Sequence, residues 1–460
     1  MKKKILYFSG IVIVLALVLW LSFGFYEPRY NDPLTSASSL SKPPVSMQER
    51  LQDDQTLLFV ALSGGGTRAA AMSWKTLEEL KKIPYTYKNR EGEEITSTLA
   101  DEIDYISGIS GGSFAAAAWC LFRDNMDDFR KRFIEENIQL KLAKGLFIPP
   151  WQGLRLISRS YDRINMASEL YDRAVFDHKT FGDLPSHPIL WIHATNLALG
   201  NRFTYSQEYF DLIKSDLLTY PIGYGCAASS AFPILLSPIT VKNYGTPAVL
   251  KEDKRYAMAK RNSRRDIEKD YYCGMREFFN DKTNKYIHLA DGGLVDNQGL
   301  QSIIDQFGTN GIINKKLNDR DNPLKRLIII NVNAGVRPDD SSSKYSNAPH
   351  INSVIKYTMI TSMDILSAKR WMEIKRLCSE VNKAALEIGY STGSLSMLEL
   401  PYTIEISFRN IEDDAMRAEC YDLPTSFYLN EDQINLINRA VPVLVEKDPD
   451  MIRLKQALYL

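Results

Sequence analysis

Twice in this chain a mostly apolar run stops at clustered glycines and passes straight into an alanine-rich stretch. TLLFVALS (56–63) meets Gly64-Gly65-Gly66 and then AAAMSWKTLEEL; IDYISGIS (103–110) meets Gly111-Gly112 and then SFAAAAWCLF. A short apolar run without polar alternation is the mark of a strand buried on both faces. Strand, glycine turn and helix in repetition predict a largely parallel, doubly wound sheet. Further strands are expected at PILWIHATNL (188–197) and RLIIINVNAG (326–335), with amphipathic helices over 125–180 and a charged surface excursion over 243–285. Beyond about residue 345 the pattern turns helical, with one strand, YTIEISF, and a closing helix from Asn430.

The glycine turns also define where chemistry can sit. Consecutive glycines ahead of a helix free backbone N–H groups to converge, and the helix terminus adds positive potential, so Gly64-Gly65-Gly66-Thr67-Arg68 reads as an anion cradle. A P-loop is excluded because no Gly-Lys-Ser/Thr follows. Gly64-x-Gly66-x-x-Ala69 satisfies the permissive dinucleotide fingerprint, so a nucleotide-binding protein is one reading. An oxyanion hole for acyl transfer is the other.

Ser110 stands between Gly108 and Gly112 at the second strand-to-helix turn. A Gly-x-Ser-x-Gly elbow pushes the hydroxyl out of a strained backbone, and the flanking positions must lack side chains. An ordinary helix cap is the competing reading of the serine. A nucleophilic serine needs a base. The chain has five histidines, His178, His187, His193, His288 and His350. In a Ser-Asp-His esterase acting on soluble esters His350 would be the partner; His193, inside a predicted strand, and His187, before a proline, suit packing and turn roles. The alternative base is Asp291, where the apolar run of IHLADGGLVDNQGL (287–300) stops at Asp-Gly-Gly. A carboxylate there can hold the serine hydroxyl and take its proton. Asp296 and Asn297, just beyond, read as helix-capping and loop-steadying residues.

In this order and at these separations, Gly64-Gly65-Gly66-Thr67-Arg68, the Gly108–Gly112 elbow and Asp291-Gly292-Gly293 resemble a patatin-like phospholipase. CAASSAFPILLSP (226–238) is similar to the Ala-Ser-x-Ala-x-Pro stretch of that family. The resemblance spans roughly 55–335. It implies a three-layer α/β/α sandwich and a lipid acyl hydrolase of phospholipase A or lysophospholipase type, working through a Ser-Asp dyad and an acyl-enzyme. By position, Ser110 is then the nucleophile, Asp291 the base, Gly64, Gly65 and Gly66 the oxyanion donors, and Arg68 the residue orienting their loop. Neither a metal nor another cofactor is expected, and the substrate is a phospholipid or another acyl-lipid.

At the amino end MKKK precedes an uncharged apolar stretch from Ile5 to Tyr26, long enough for a membrane-spanning helix. Lys2, Lys3 and Lys4 against a lone following Arg29 leave the amino terminus in the cytoplasm and export the body. A cleaved signal peptide, giving a secreted protein, is the alternative, since Ser22-Phe23-Gly24 offers a small-x-small site. The expected organisation is an anchor or signal over 1–26, a Pro- and Ser-rich linker over 27–54, a catalytic domain over 55–345 and a mainly helical part over 346–460 packed on it. The 56 basic residues balance 56 acidic ones, which argues against a nucleic-acid partner. Five scattered cysteines show no zinc or disulfide spacing and read mostly as small buried residues. LFIPPWQGL (146–154) is a candidate lipid-facing flap.

Overall fold

The structure is a computed structural model and describes residues 25–35, 55–88, 92–145, 153–233, 235–247, 254–262, 267–319, 324–336, 341–344, 346–392 and 398–458, with positions 14, 17, 18 and 22 before them. Most of the expected membrane span and most of the 146–154 flap lie outside these residues. Among the described residues no helix is long and apolar enough to cross a membrane.

The strands are β1 (Thr56–Leu62), β2 (Pro84–Lys88), β3 (Glu94–Thr98), β4 (Tyr105–Ile109), β5 (Ile189–Asn196), β6 (Asn201–Tyr205), β7 (Ile239–Lys242), β8 (Tyr286–Asp291), β9 (Arg326–Asn333) and β10 (Tyr402–Ser407). Leaving aside the hairpin β2–β3, they form one sheet in the order β10-β9-β1-β4-β5-β8-β7, with β6 also paired to β5. From β10 to β5 every pairing is parallel. All seven residues of β1 are buried, as the unbroken apolar run requires. The helices that position the site are α1 (Gly66–Leu80), α2 (Gly111–Phe122), α3 (Arg163–Ala174), α4 (Ile222–Ser229), α5 (Ile351–Thr392), α6 (Glu431–Lys447) and α7 (Pro449–Leu458). One apolar core joins β1 and β4 residues to α1, α2 and α6; a second lies on the other face around Leu57, Phe59, Trp371 and Ile374. Helices on both faces of the sheet give the layered sandwich. All five cysteines are buried and unbridged.

The sheet departs from pure parallel order where it matters most. Strand β6 pairs with Ile192–Asn196 of β5, β4 with Ile189–His193, and β8 with Ala194–Asn196. A strand has two edges, and β6 shares residues of β5 with both other partners. Strands β4 and β8 therefore occupy the same edge of β5, one after the other. Since β4 runs parallel to β5 and β8 antiparallel, they meet head to head, Ile109 opposite His193 and Asp291 opposite Ala194.

The amino-terminal linker also differs from expectation. Residues 26–34 are not a free tether but a strap seated on the body. The Asn31 side chain, 2% exposed, accepts from the Lys242 N–H (2.6 Å) and donates to the Lys242 carbonyl (2.9 Å) and to Ser215 Oγ (2.8 Å). It thus satisfies backbone groups of β7 that the ladder leaves open, a recognised way of closing a sheet edge. Tyr26 stacks under the Arg155 guanidinium (4.3 Å) and meets Tyr161 edge-on (5.2 Å), while Ser158 Oγ donates to its carbonyl (2.5 Å). Polar side chains in the strap that match exposed backbone explain why a Pro-rich composition still docks.

Candidate active site

Ser110 lies at the tip of β4 and caps α2, with φ 48° and ψ −122°. Positive φ at a residue with a Cβ costs roughly 1–3 kcal/mol and persists only where the surroundings over-determine it. They do here. A Cβ on Gly112 would lie 2.5 Å from the Leu62 carbonyl oxygen, on Gly108 2.6 Å from Ser113 Cα, and on Gly111 1.9 Å from the Gly66 carbonyl oxygen. All three positions are closed to a side chain, and Gly111 is the tightest of them. It brings the elbow against Gly66 of the glycine loop. The Ser113 hydroxyl donates to the Ser110 carbonyl (2.6 Å).

Asp291 reaches the same spot from the opposite direction, at the tip of β8. It is 3% exposed. Burial pushes its carboxyl up to about 7, against the partial opposition of the Gly293 N–H bonded to it and of the neighbouring Ser110 hydroxyl. The Gly293 N–H contact is 2.7 Å. Head-to-head strands thus bring together two residues far apart in the chain.

Both tips rest on one short segment. The Ser229 hydroxyl accepts from the Ser110 N–H (2.8 Å) and donates to the His193 carbonyl (2.6 Å). The Ser229 carbonyl accepts from the Gly292 N–H (3.1 Å), and the Ala231 carbonyl from the Asp291 N–H (3.0 Å). Ser229 holds elbow and acid loop at once, a role the residue-by-residue reading did not assign. Its signal was the family-like CAASSAFP run at the end of α4.

The glycine loop faces the elbow, and its amides are not equivalent. The Gly64 N–H donates to the Asn297 carbonyl (2.8 Å), which corrects its expected place among the oxyanion donors: the backbone of the acid loop already uses that hydrogen. Gly64 instead supplies clearance, since a Cβ there would lie 2.5 Å from Asn297 Oδ1 and 3.3 Å from Ser110 Cβ. The Thr67 N–H donates to the Ser426 carbonyl (2.9 Å). Gly65 and Gly66 lie between these two ties, at the start of α1, and among the described residues no partner is found for their N–H groups. Arg68 is 3% exposed; Nε donates to the Ala334 carbonyl (2.9 Å) and Nη1 to the Leu423 carbonyl (2.7 Å), and burial lowers its pKa to about 10. These two bonds tie the start of α1 to the end of β9 and to the 423 segment.

The side chains of four histidines are engaged or exposed away from the Ser110–Asp291 pair. His193 is fully buried between Thr204 (3.0 Å) and Ser107 (3.1 Å), and desolvation holds it well below its ordinary pKa, so it stays neutral. His178 bonds Asp172 (2.7 Å), His288 bonds Thr240 (3.0 Å), and His350 stands exposed just before α5. Asp296 accepts from the Leu300 and Gln301 N–H groups, the capping role expected of it. Among the described residues no group of His, Cys, Asp and Glu is arranged to hold a metal ion.

A serine on a strained strand-to-helix elbow, a buried carboxyl at the strand tip facing it and two free amides at a helix start define an α/β protein with a hydrolase-type site. The patatin-like phospholipase family model matches residues 60–304, over half of the chain, and the chain belongs to that family. Two solved structures resemble it at low identity. VipD from Legionella pneumophila is 12% identical with a TM-score of 0.32, over 88% of this chain and 67% of that one. Human GIVD cytosolic phospholipase A2 is 13% identical with a TM-score of 0.35, over 64% of this chain and 47% of that one. No curated protein sequence matches significantly.

Proposed function

We propose that this chain hydrolyses carboxylic esters of acyl-lipids through Ser110 and Asp291. The observation that carries the reading is the meeting of the Ser110 elbow, at the tip of β4, with a buried carboxyl at the tip of β8 whose pKa stands near neutrality. That is the value a general base needs in order to be ionised at working pH and still accept a proton. Ionised Asp291 takes the Ser110 proton as the oxygen attacks the acyl carbonyl. The Gly65 and Gly66 amides, with the positive end of α1 behind them, stabilise the tetrahedral oxyanion. The alcohol leaves with the proton, and water, activated by the same carboxylate, releases the fatty acid from Ser110.

A phospholipid or lysophospholipid substrate follows from family membership, and an amino-terminal bilayer anchor, with the body exported, from the Lys-rich flank of an apolar segment. A nucleotide-binding role for the Gly64 loop would leave the elbow strain and the neutral-range acid without purpose. The test is fatty-acid release from a panel of phospholipids, with fluorophosphonate labelling, in the wild type and Ser110→Ala. Release and labelling that both vanish in the variant support the reading; lipid turnover that survives Ser110→Ala, or none in the wild type, ends it.

A further inference from the structure

We infer that the segment Leu423–Ser426, beyond the family-matched region, is a positioning element for the oxyanion loop; this rests on the Ser110–Asp291 reading above. The argument is one of amide allocation. A helix start offers a fan of unpaired N–H groups, and a hole for one oxygen needs a chosen few of them correctly aimed. Here the fan is trimmed from both sides. The Asn297 carbonyl takes the Gly64 N–H at 2.8 Å and the Ser426 carbonyl takes the Thr67 N–H at 2.9 Å, leaving Gly65 and Gly66 between them.

Three further contacts make the tail the firmer side. Gly66 adopts φ +65°, and a Cβ on it would lie 2.4 Å from the Ser426 carbonyl oxygen, so the loop can approach the tail this closely only as glycine. Arg68 spans from the Leu423 carbonyl to that of Ala334 at the end of β9. Helix α6, which follows the segment, shares one buried core with α1. A buried guanidinium whose described partners are neutral carbonyls is an expensive fastening. It joins the glycine loop, the end of β9 and the 423–426 segment through a single side chain. The 423–426 segment acts on the reaction through Gly65 and Gly66 without touching substrate.

The decisive variant inserts one glycine between Thr425 and Ser426 of the full chain, sliding the Ser426 carbonyl off Thr67. The control inserts one glycine between Glu412 and Asp413, both exposed in the same carboxyl-terminal part. On a soluble acyl ester the test insertion should lower kcat by about 100-fold, the scale of losing oxyanion donors. KM should stay within about threefold, fluorophosphonate labelling should slow in parallel, and Tm should match the control. Unchanged kcat in the folded variant, or an equal loss in the control, overturns the proposal. Should the insertion not fold, Arg68→Lys decides. A kcat loss at constant KM and Tm supports the clamp, and full activity refutes it. Turnover insensitive to Ser110→Ala would instead remove the dyad reading, and the clamp with it.

Discussion

Replacing Asp291 by asparagine should abolish turnover and yet stabilise the protein, by an amount that depends on pH in a defined direction. The carboxyl is raised from 3.8 to about 7 in the folded state. The native protein therefore binds this proton more tightly than the unfolded chain does. The folded state carries no penalty from this group below the unfolded pKa; the penalty grows as pH rises from about 4 to 7 and is complete above. Roughly three pKa units at 1.36 kcal/mol each amount to about 4 kcal/mol. Asparagine keeps the shape and an oxygen for the Gly293 N–H but never ionises, so it escapes the penalty. With an unfolding entropy of about 2.1 cal/mol/K per residue over about 400 residues, 4 kcal/mol corresponds to about 5 °C in Tm. Calorimetric scans of wild type and Asp291→Asn at pH 4 and pH 8.5 measure it. The variant should melt together with the wild type at pH 4 and about 5 °C above it at pH 8.5. A gap that does not depend on pH, or a less stable variant at pH 8.5, would refute the claim that an ionised carboxylate is held in this site against its solvation.

Other expectations follow from the same geometry. The wild-type kcat/KM should rise about tenfold per pH unit below pH 7 and level off above it, because the base works only when ionised; a profile flat from pH 5 to 8 contradicts this. Ser229→Ala deprives the buried Ser110 N–H and the His193 carbonyl of their partner, at a cost of about 1–3 kcal/mol for the exposed deficit, and should lower kcat/KM about 10- to 100-fold. Steady-state kinetics at wild-type values would deny Ser229 its supporting role. Gly111→Ala should destroy activity and labelling, since its methyl group would overlap the Gly66 carbonyl; an active Gly111→Ala enzyme would show that elbow and loop are not in contact. His350→Ala should leave kcat within about twofold, whereas a histidine triad requires a loss of about 10⁴.

Much of this site was legible in residue types. Glycines between strand and helix announced both turns, and Asp291-Gly292-Gly293 announced the acid, because steric freedom and apolar runs are local properties. What could not be read was anything decided by a distant partner. The antiparallel insertion of β8 is set by its pairing with Ala194–Asn196, and no local pattern in IHLAD distinguishes that from a parallel strand. The loss of the Gly64 amide depends on a carbonyl more than two hundred residues away in sequence, as does the tie from Thr67 to Ser426. Ser229 is one of several small residues in CAASSAFP, and only its position beneath the elbow gives its hydroxyl two partners. The docking of residues 26–34 was not legible because composition reports the freedom of an isolated segment, not the backbone groups of β7 waiting for Asn31.

That docked strap fixes a geometry as well as an edge. Tyr26, the last residue of the apolar amino-terminal stretch, is already clasped by Arg155 and Tyr161. A bilayer held by that stretch would leave the enzyme no leash on which to swing. The body would ride flush with the headgroups in a single attitude, and its reach would be set by lateral diffusion of lipid, not by the length of a flexible stalk.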